Sequence, residues 1–365
     1  MNTTHRIFFQ NARKMKAVKG SSIDLVVTSP PYPMIEMWDG VFSDADSKIR
    51  AALSANDGNR AFELMHRELD GVWDEVVRVL KTGGFACINI GDATRTVRDE
   101  FRLYPNHSRI LTYLYDKGLS PLPAIIWRKQ TNAPNKFMGS GVLPAGAYVT
   151  LEHEYVLILR KGKKRTFDTK KDRAHRQESA LFWEERNQWF SDVWFDLKGA
   201  RQDLADKETR KRSGAFPFEL PYRLINMYSV KGDTVLDPFM GLGTTLLAAM
   251  AAGRNFVGFE IDRNLKGVIE TQISAVTDFA NGYINERLKR HQAFVEERIQ
   301  NDKPLKHRNV HYGFPVIMNQ EKNLKLDFLK SVQKKTADCF EVEYTDQPVL
   351  SAGSIQEPEG GTAGT

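Results

Sequence analysis

One stretch narrows the possible folds more than any other. Thr234-Val235-Leu236 is a short β-rich run that stops at Asp237, and the turn Pro238-Phe239-Met240-Gly241-Leu242-Gly243-Thr244-Thr245 follows at once. An apolar helical stretch then runs from Leu246 to Ala252, Gly253 ends it, and Asn255-Phe256-Val257-Gly258-Phe259 forms a second β-rich run closed by Glu260. Strand, glycine-rich turn, helix, strand, acid is the order of a βαβ unit that holds an adenosine-containing ligand. The glycines let the ligand approach the backbone, and the acid at the end of the second strand reaches ribose hydroxyls. A glycine-rich turn alone is weak evidence; the placed acid strengthens it.

A second stretch lies about two hundred residues upstream. Ile23-Asp24-Leu25-Val26-Val27 ends in Thr28-Ser29-Pro30-Pro31-Tyr32-Pro33. Proline fixes its own φ and biases the residue before it towards extended geometry, so Ser29 and the Pro30 carbonyl have little freedom. A rigid hydroxyl, a rigid carbonyl and a flat ring suit a planar ligand bearing an amino group. A proline-rich turn after a buried strand explains the same residues without any ligand.

Taken together the two stretches resemble the amino-methylating DNA methyltransferases that use S-adenosylmethionine. That family's catalytic tetrapeptide reads Ser/Asp/Asn-Pro-Pro-Tyr/Phe/Trp, here Ser29, Pro30, Pro31 and Tyr32. Its cofactor motif reads Asp-Pro-Phe-x-Gly-x-Gly-Thr-Thr, here Asp237, Pro238, Phe239, Gly241, Gly243, Thr244 and Thr245. The catalytic motif comes first, similar to the permuted β-class order. The resemblance spans roughly residues 5–265 and implies S-adenosyl-L-methionine as cofactor and double-stranded DNA as partner. It further implies that Asp237 meets the methionine amino group, Glu260 the ribose, and Phe239 the adenine or methionine region. Phe216 and Pro217 fall in a segment similar to the one that wraps the methionine end. A cognate restriction endonuclease stays open.

The expected fold is α/β: a Rossmann-like, mostly parallel sheet flanked by helices, with an inserted target-recognition region and a helical C-terminal extension. The divisions expected are a catalytic half at 1–159, target recognition at 160–213, a cofactor half at 214–265, the extension at 266–345 and a disordered tail at 346–365. Apolar residues recurring at three and four predict a helix over 62–80, and a strand follows at 85–90. The polar segment 34–61 reads as a loop beside the catalytic turn, and Asp92 as a residue lining the target pocket or a surface turn. Helix is expected at 324–332 and strand at 340–342.

Charge matters by its distribution. The chain of 365 residues carries a formal +6, and 160–176 holds nine Lys or Arg against Asp168 and Asp172. An isolated charge run is usually a solvated face. Beside these motifs, phosphate contact is the expectation for Arg160, Lys161, Lys163, Lys164, Arg165, Lys170, Lys171 and Arg173. Arg210-Lys211-Arg212, the loop 132–146 and the interleaved Trp183, Trp189 and Trp194 belong to the same expectation, the tryptophans packing locally or contacting bases.

Only Cys87 and Cys339 occur, which implies no disulfide framework and a reducing cytoplasm, in a bacterial, archaeal or phage setting. No apolar run spans a membrane, and no metal-ligand spacing is present among the eight histidines. Neither cysteine has an activating neighbourhood, which argues against methylation of a ring carbon through a thiolate. The chemistry expected is direct transfer of a methyl group to an exocyclic amino group of an extruded base. In the resembling family a serine at the first tetrapeptide position goes with cytosine N4. Adenine N6, a non-catalytic subunit that keeps the cofactor pocket, and an RNA or protein substrate remain the alternatives.

Overall fold

The computed structural model describes residues 1–129, 138–197, 216–303 and 305–345. Ten strands form one sheet: β1 (Asn2–Phe8), β2 (Ile23–Thr28), β3 (Leu80–Ile90), β4 (Leu119–Arg128), β5 (His153–Lys161), β6 (Val193–Trp194), β7 (Thr234–Asp237), β8 (Asn255–Phe259), β9 (Phe328–Thr336) and β10 (Cys339–Thr345). Their order across the sheet is β6-β4-β5-β3-β2-β7-β8-β1-β10-β9. The five strands from β3 to β1 run parallel. Antiparallel pairs extend the sheet at both ends, β5 on β3 and β10 on β1.

The helices are α1 (Asp39–Ala45), α2 (Ser47–Ser54), α3 (Gly58–Val79), α4 (Asn106–Asp116), α5 (Lys170–Glu178), α6 (Trp183–Trp189), α7 (Glu219–Tyr228), α8 (Thr244–Ala251), α9 (Lys266–Ser274) and α10 (Val276–Gln300). They cover both faces of the central strands, which is why β2 is buried at all six positions rather than alternating. Leu25, Val27, Val235 and Phe256 point into the layer packed by α7 and α8. Val26, Leu236 and Val257 point into the opposite layer, where α3 contributes Met65, Leu69, Val72, Trp73 and Val76. Those α3 residues are spaced three and four apart, as one buried helix face requires, and the Asp57 side chain caps the helix start by accepting from the Arg60 N–H at 3.1 Å.

The connectivity positions the site. From β2 the chain passes through α3 to β3 on one side. From β7 it passes through α8 to β8 on the other. Adjacent parallel strands whose connections diverge leave a crevice at their carboxyl ends. Ser29 follows β2 and Asp237 ends β7, so the two motifs meet there.

Two segments differ from the sequence reading. Residues 34–61 are mostly helical, because Asp46 caps α2 by accepting from the Lys48 N–H at 2.9 Å and Ile49 and Ala52 are buried. Within the helix expected at 324–332, residues 324–327 have no regular structure and 328–332 begin β9, which pairs antiparallel with β10. Alternate residues of β10, Phe340, Val342 and Tyr344, face the core, and the Tyr344 hydroxyl donates to the Met250 carbonyl at 2.6 Å. After α10 the extension forms a small antiparallel pair, His307–Arg308 with Pro315–Val316, and a 3-10 turn at Asn319–Glu321 before it joins the sheet. The tail 346–365 lies outside the described residues.

Candidate active site

Asp237 ties the two motifs together. Its buried carboxylate accepts from the Thr28 hydroxyl at 2.6 Å, from the Thr245 hydroxyl at 2.7 Å and from the Phe239 N–H at 3.0 Å. Thr28 immediately precedes Ser29, so a bond across 209 residues fixes the catalytic turn against the glycine-rich turn. Burial pushes the Asp237 carboxyl up to about 6, against the pull of its hydroxyl and amide donors.

Gly241 and Gly243 take φ of +54° and +86°, the left-handed region that other residues enter at a cost. That conformation turns the Gly241 N–H onto Glu260 Oε2 at 2.8 Å, while the Asp262 N–H donates to Oε1 at 2.7 Å. Glu260 lines the cavity, and its carboxylate retains acceptor capacity beyond these amides, the chemistry needed to accept from ribose hydroxyls. Burial raises the Glu260 carboxyl above the usual glutamate range.

On the catalytic side the Tyr32 hydroxyl is the hub. It lies 3.1 Å from Ser29 Oγ and donates to Glu154 Oε2 at 2.9 Å. Asn89 Nδ2 donates to the Tyr32 oxygen at 2.9 Å and to Glu154 Oε2 at 2.6 Å. Lys129 pairs with the other oxygen of Glu154. A side chain at Gly91 would come within 3.0 Å of the Tyr32 ring, so this glycine makes room for it. Burial, together with the negative Glu154, raises the phenol well above its ordinary value. Met34, two residues further on, has φ +67° while fully buried, so the backbone leaves the turn in a conformation unusual for its residue type.

A single cavity of about 900 Å³ joins both halves. Ser29, Pro30, Pro31 and Tyr32 line it, as do Phe216, Asp237, Pro238, Phe239, Gly241, Thr244 and Glu260. Gly243, Thr245 and Pro217 are not among the lining residues: Gly243 shapes the start of α8, and Thr245 holds Asp237. Met37, Trp38 and Val41 supply an apolar rim from α1 and the turn before it. Asn89, Lys129 and Glu154 were not singled out by the sequence reading; the buried carboxylate at the start of β5 is the only linear hint of them.

The basic run lies elsewhere. β5 is antiparallel to β3, with Tyr155 opposite Ile90 and Arg160 opposite Phe85, so the chain reaches Arg160 at the end of the sheet remote from the cavity. There Lys161 donates to the Val77 and Leu80 carbonyls at 2.6 and 2.8 Å, closing the end of α3. Arg165 pairs with Asp233 at 2.7 Å. Arg160 and Arg173 donate to the carbonyls of Gly162 and Asp168. Lys163, Lys164, Lys170 and Lys171 are exposed on this same end. The topology thus separates all eight residues from the cavity.

Asp92 likewise faces away. It accepts from the His107 N–H at 3.0 Å and lies 2.8 Å from that imidazole, at the start of α4. Trp189 and Trp194 are core residues, and Trp183 stacks near Phe294 at 5.9 Å. Arg210, Lys211 and Arg212 and much of the loop 132–146 lie outside the described residues. Phe216, on the far side of 198–215, returns the chain at the cavity. Burial pushes the Cys87 thiol up, so it offers no thiolate. Among the described residues no helix is long and apolar enough to cross a membrane, and no group of three or more His, Cys, Asp or Glu is placed to hold a metal ion.

Comparison with known proteins bears on this geometry. Residues 23–271 match the family model described as DNA methylase. The type II methyltransferase M.MthZI of Methanothermobacter thermautotrophicus is 51% identical over 347 residues, 95% of this chain and 96% of the relative. M.MjaI of Methanocaldococcus jannaschii, also a type II methyltransferase, is 48% identical over 284 residues, 75% of this chain and 92% of its own. Among solved structures, the Thermus thermophilus protein TTHA0409 complexed with S-adenosyl-L-methionine has a TM-score of 0.58 at 30% identity, covering 74% of this chain and 94% of that one. The cytosine-N4-specific PvuII DNA methyltransferase shares the fold, with a TM-score of 0.52 at 17% identity over 78% of this chain and 94% of that one.

Proposed function

We propose that this chain, which belongs to the DNA methylase family, methylates the N4 amino group of a cytosine extruded from duplex DNA. It is an S-adenosylmethionine-dependent DNA methyltransferase related to type II enzymes. The observation that carries the reading is the Thr28–Asp237 bond. It supports the reading by holding the turn at Ser29 and the glycine-rich turn against one cavity.

The residues present fit the cofactor. Glu260 offers lone pairs to ribose hydroxyls, and the left-handed Gly241 leaves open space where a side chain would project. Asp237, when ionised, offers a counter-charge to an ammonium group. When bound, S-adenosylmethionine supplies an activated methyl group on a sulfonium centre.

The protein's part is placement. An exocyclic amino nitrogen is a poor nucleophile, because its lone pair is delocalised into the ring. Ser29 Oγ and the Pro30 carbonyl accept from its two N–H bonds, which favours the tetrahedral geometry of attack and aims the lone pair. Tyr32 presents its ring to the base, whose extrusion costs a few kcal/mol that stacking and phosphate contacts offset. Phosphate contacts belong at the cavity end of the sheet.

Serine at position 29 favours cytosine; adenine N6 is the second reading, because a hydroxyl accepts from either amino group. Labelled S-adenosylmethionine, mixed-sequence duplex DNA and digestion to nucleosides decide between them. Label on N4-methylcytosine is the expected outcome. Label on N6-methyladenine overturns the base assignment, and label on neither overturns the DNA substrate.

A further inference from the structure

We propose that Glu154 is a positioning residue for the methyl transfer, acting through Tyr32 to make Ser29 a one-way hydrogen-bond acceptor. This rests on the amino-methyltransferase reading and goes beyond its motifs. The tetrapeptide pattern tolerates Phe or Trp at the fourth position, and neither carries a hydroxyl. A chain running through the Tyr32 oxygen is therefore a feature of this molecule's own residues.

A serine hydroxyl is ambiguous, since it both donates and accepts. The network around Tyr32 removes the ambiguity. Lys129 pairs with one oxygen of Glu154, and Asn89 donates to the other at 2.6 Å, so the carboxylate is held by partners from two different parts of the chain. An ionised carboxylate only accepts, so the Tyr32 proton points to Glu154 across 2.9 Å. The Tyr32 oxygen then only accepts: Asn89 Nδ2 donates to it at 2.9 Å, and the Ser29 hydroxyl, 3.1 Å away, supplies a second donor. With its proton directed at Tyr32, Ser29 turns its lone pairs to the cavity, where the substrate amino group donates. The raised pKa of the phenol keeps Tyr32 neutral, as a relay member must be.

The same chain gives the surplus proton an exit. The amino nitrogen bonds the methyl carbon as the carbon–sulfur bond breaks, its electron pair remaining on sulfur. The amino proton passes to Ser29, the Ser29 proton to Tyr32, and the Tyr32 proton to Glu154. One proton leaves the nitrogen and one arrives on the carboxylate, and water later removes it.

The test is a double-mutant cycle on single-turnover methyl transfer, with Tyr32→Phe, Glu154→Gln and the double variant. Wild-type protein is first shown to label the amino group of a DNA base; failure there sinks the amino-methyltransferase reading itself. Tyr32→Phe keeps the ring and removes the relay. It should slow transfer by about 10- to 100-fold, the value of one charge-assisted hydrogen bond, with cofactor and duplex affinities within about twofold of wild type. Glu154→Gln should slow it by a smaller factor, and the double variant should be no slower than Tyr32→Phe alone, because both changes break one chain. A Tyr32→Phe rate within twofold of wild type overturns the proposal. So do effects that simply multiply, or a rate loss matched by lost cofactor or duplex affinity.

Discussion

The two ends of the central sheet both carry polar groups and do opposite things with them. At the amino ends of the parallel strands, Lys161 closes helix α3, and Arg165 answers Asp233, whose carboxyl burial pushes above the usual aspartate range. Their charges are spent within the fold. At the carboxyl ends, Ser29, Pro30 and Glu260 line a cavity of about 900 Å³. Their hydrogen-bonding capacity is held in reserve. The two ends thus differ in where their polar groups are aimed, which the density of charge along the chain does not reveal.

The largest effect that could break this contrast is on Ser29. Ser29→Ala should lower the single-turnover methylation rate by roughly 10²- to 10³-fold, as loss of a preorganised polar contact to the reacting group does. Cofactor affinity, measured by calorimetry, should stay within about twofold.

Next comes Asp237. The ionised form is the one that can face an ammonium group, so cofactor affinity should fall by about tenfold per pH unit below about 6, the value to which burial raises this carboxyl. Asp237→Asn should remove that pH step. In the cofactor-free protein the sign reverses. A raised acid favours folding when protonated, so its contribution is complete below the unfolded value of 3.8 and is lost as pH rises through about 6. Urea titrations at pH 4 and pH 7 on wild type and Asp237→Asn would read this directly, the variant losing less.

The far end should respond in stability alone. Lys161→Met removes two donors from the end of α3 and should lower stability by about 1 kcal/mol, with methylation unchanged. The smallest effect is expected of the triple variant Lys163→Gln, Lys164→Gln, Lys171→Gln. Duplex affinity should change by less than about twofold, and the slope of affinity against salt should hold. A slope reduced by about 0.9 for each lysine would make this end a phosphate-binding surface.

What was legible in the sequence divides along the same line. Both turns could be read because proline and glycine impose local backbone geometry, and because strand, turn and helix succeed one another within a few residues. Their meeting at one cavity was implied only by the family likeness, since it depends on β2 lying beside β7. Asn89, Lys129 and Glu154 were not legible. They converge from separate parts of the chain, with Trp127 opposite Glu154 and Asn89 opposite Val156, and no linear spacing encodes that register. That Arg165 is paired within the fold was not legible either, because its partner Asp233 is 68 residues away. The stretch 324–332 fits a helix, with Leu326, Phe328, Leu329 and Val332 spaced for one. Pairing with β10 overrode that pattern.

Hydrogen–deuterium exchange of the full chain, alone and with cofactor and a methylatable duplex, tests most directly that chemistry is confined to one end of the sheet. Protection should appear at 29–45, 89–92 and 238–245 and be absent from 160–176. Protection of 160–176, with exchange at 29–45 and 238–245 unchanged, would place the working surface at the opposite end.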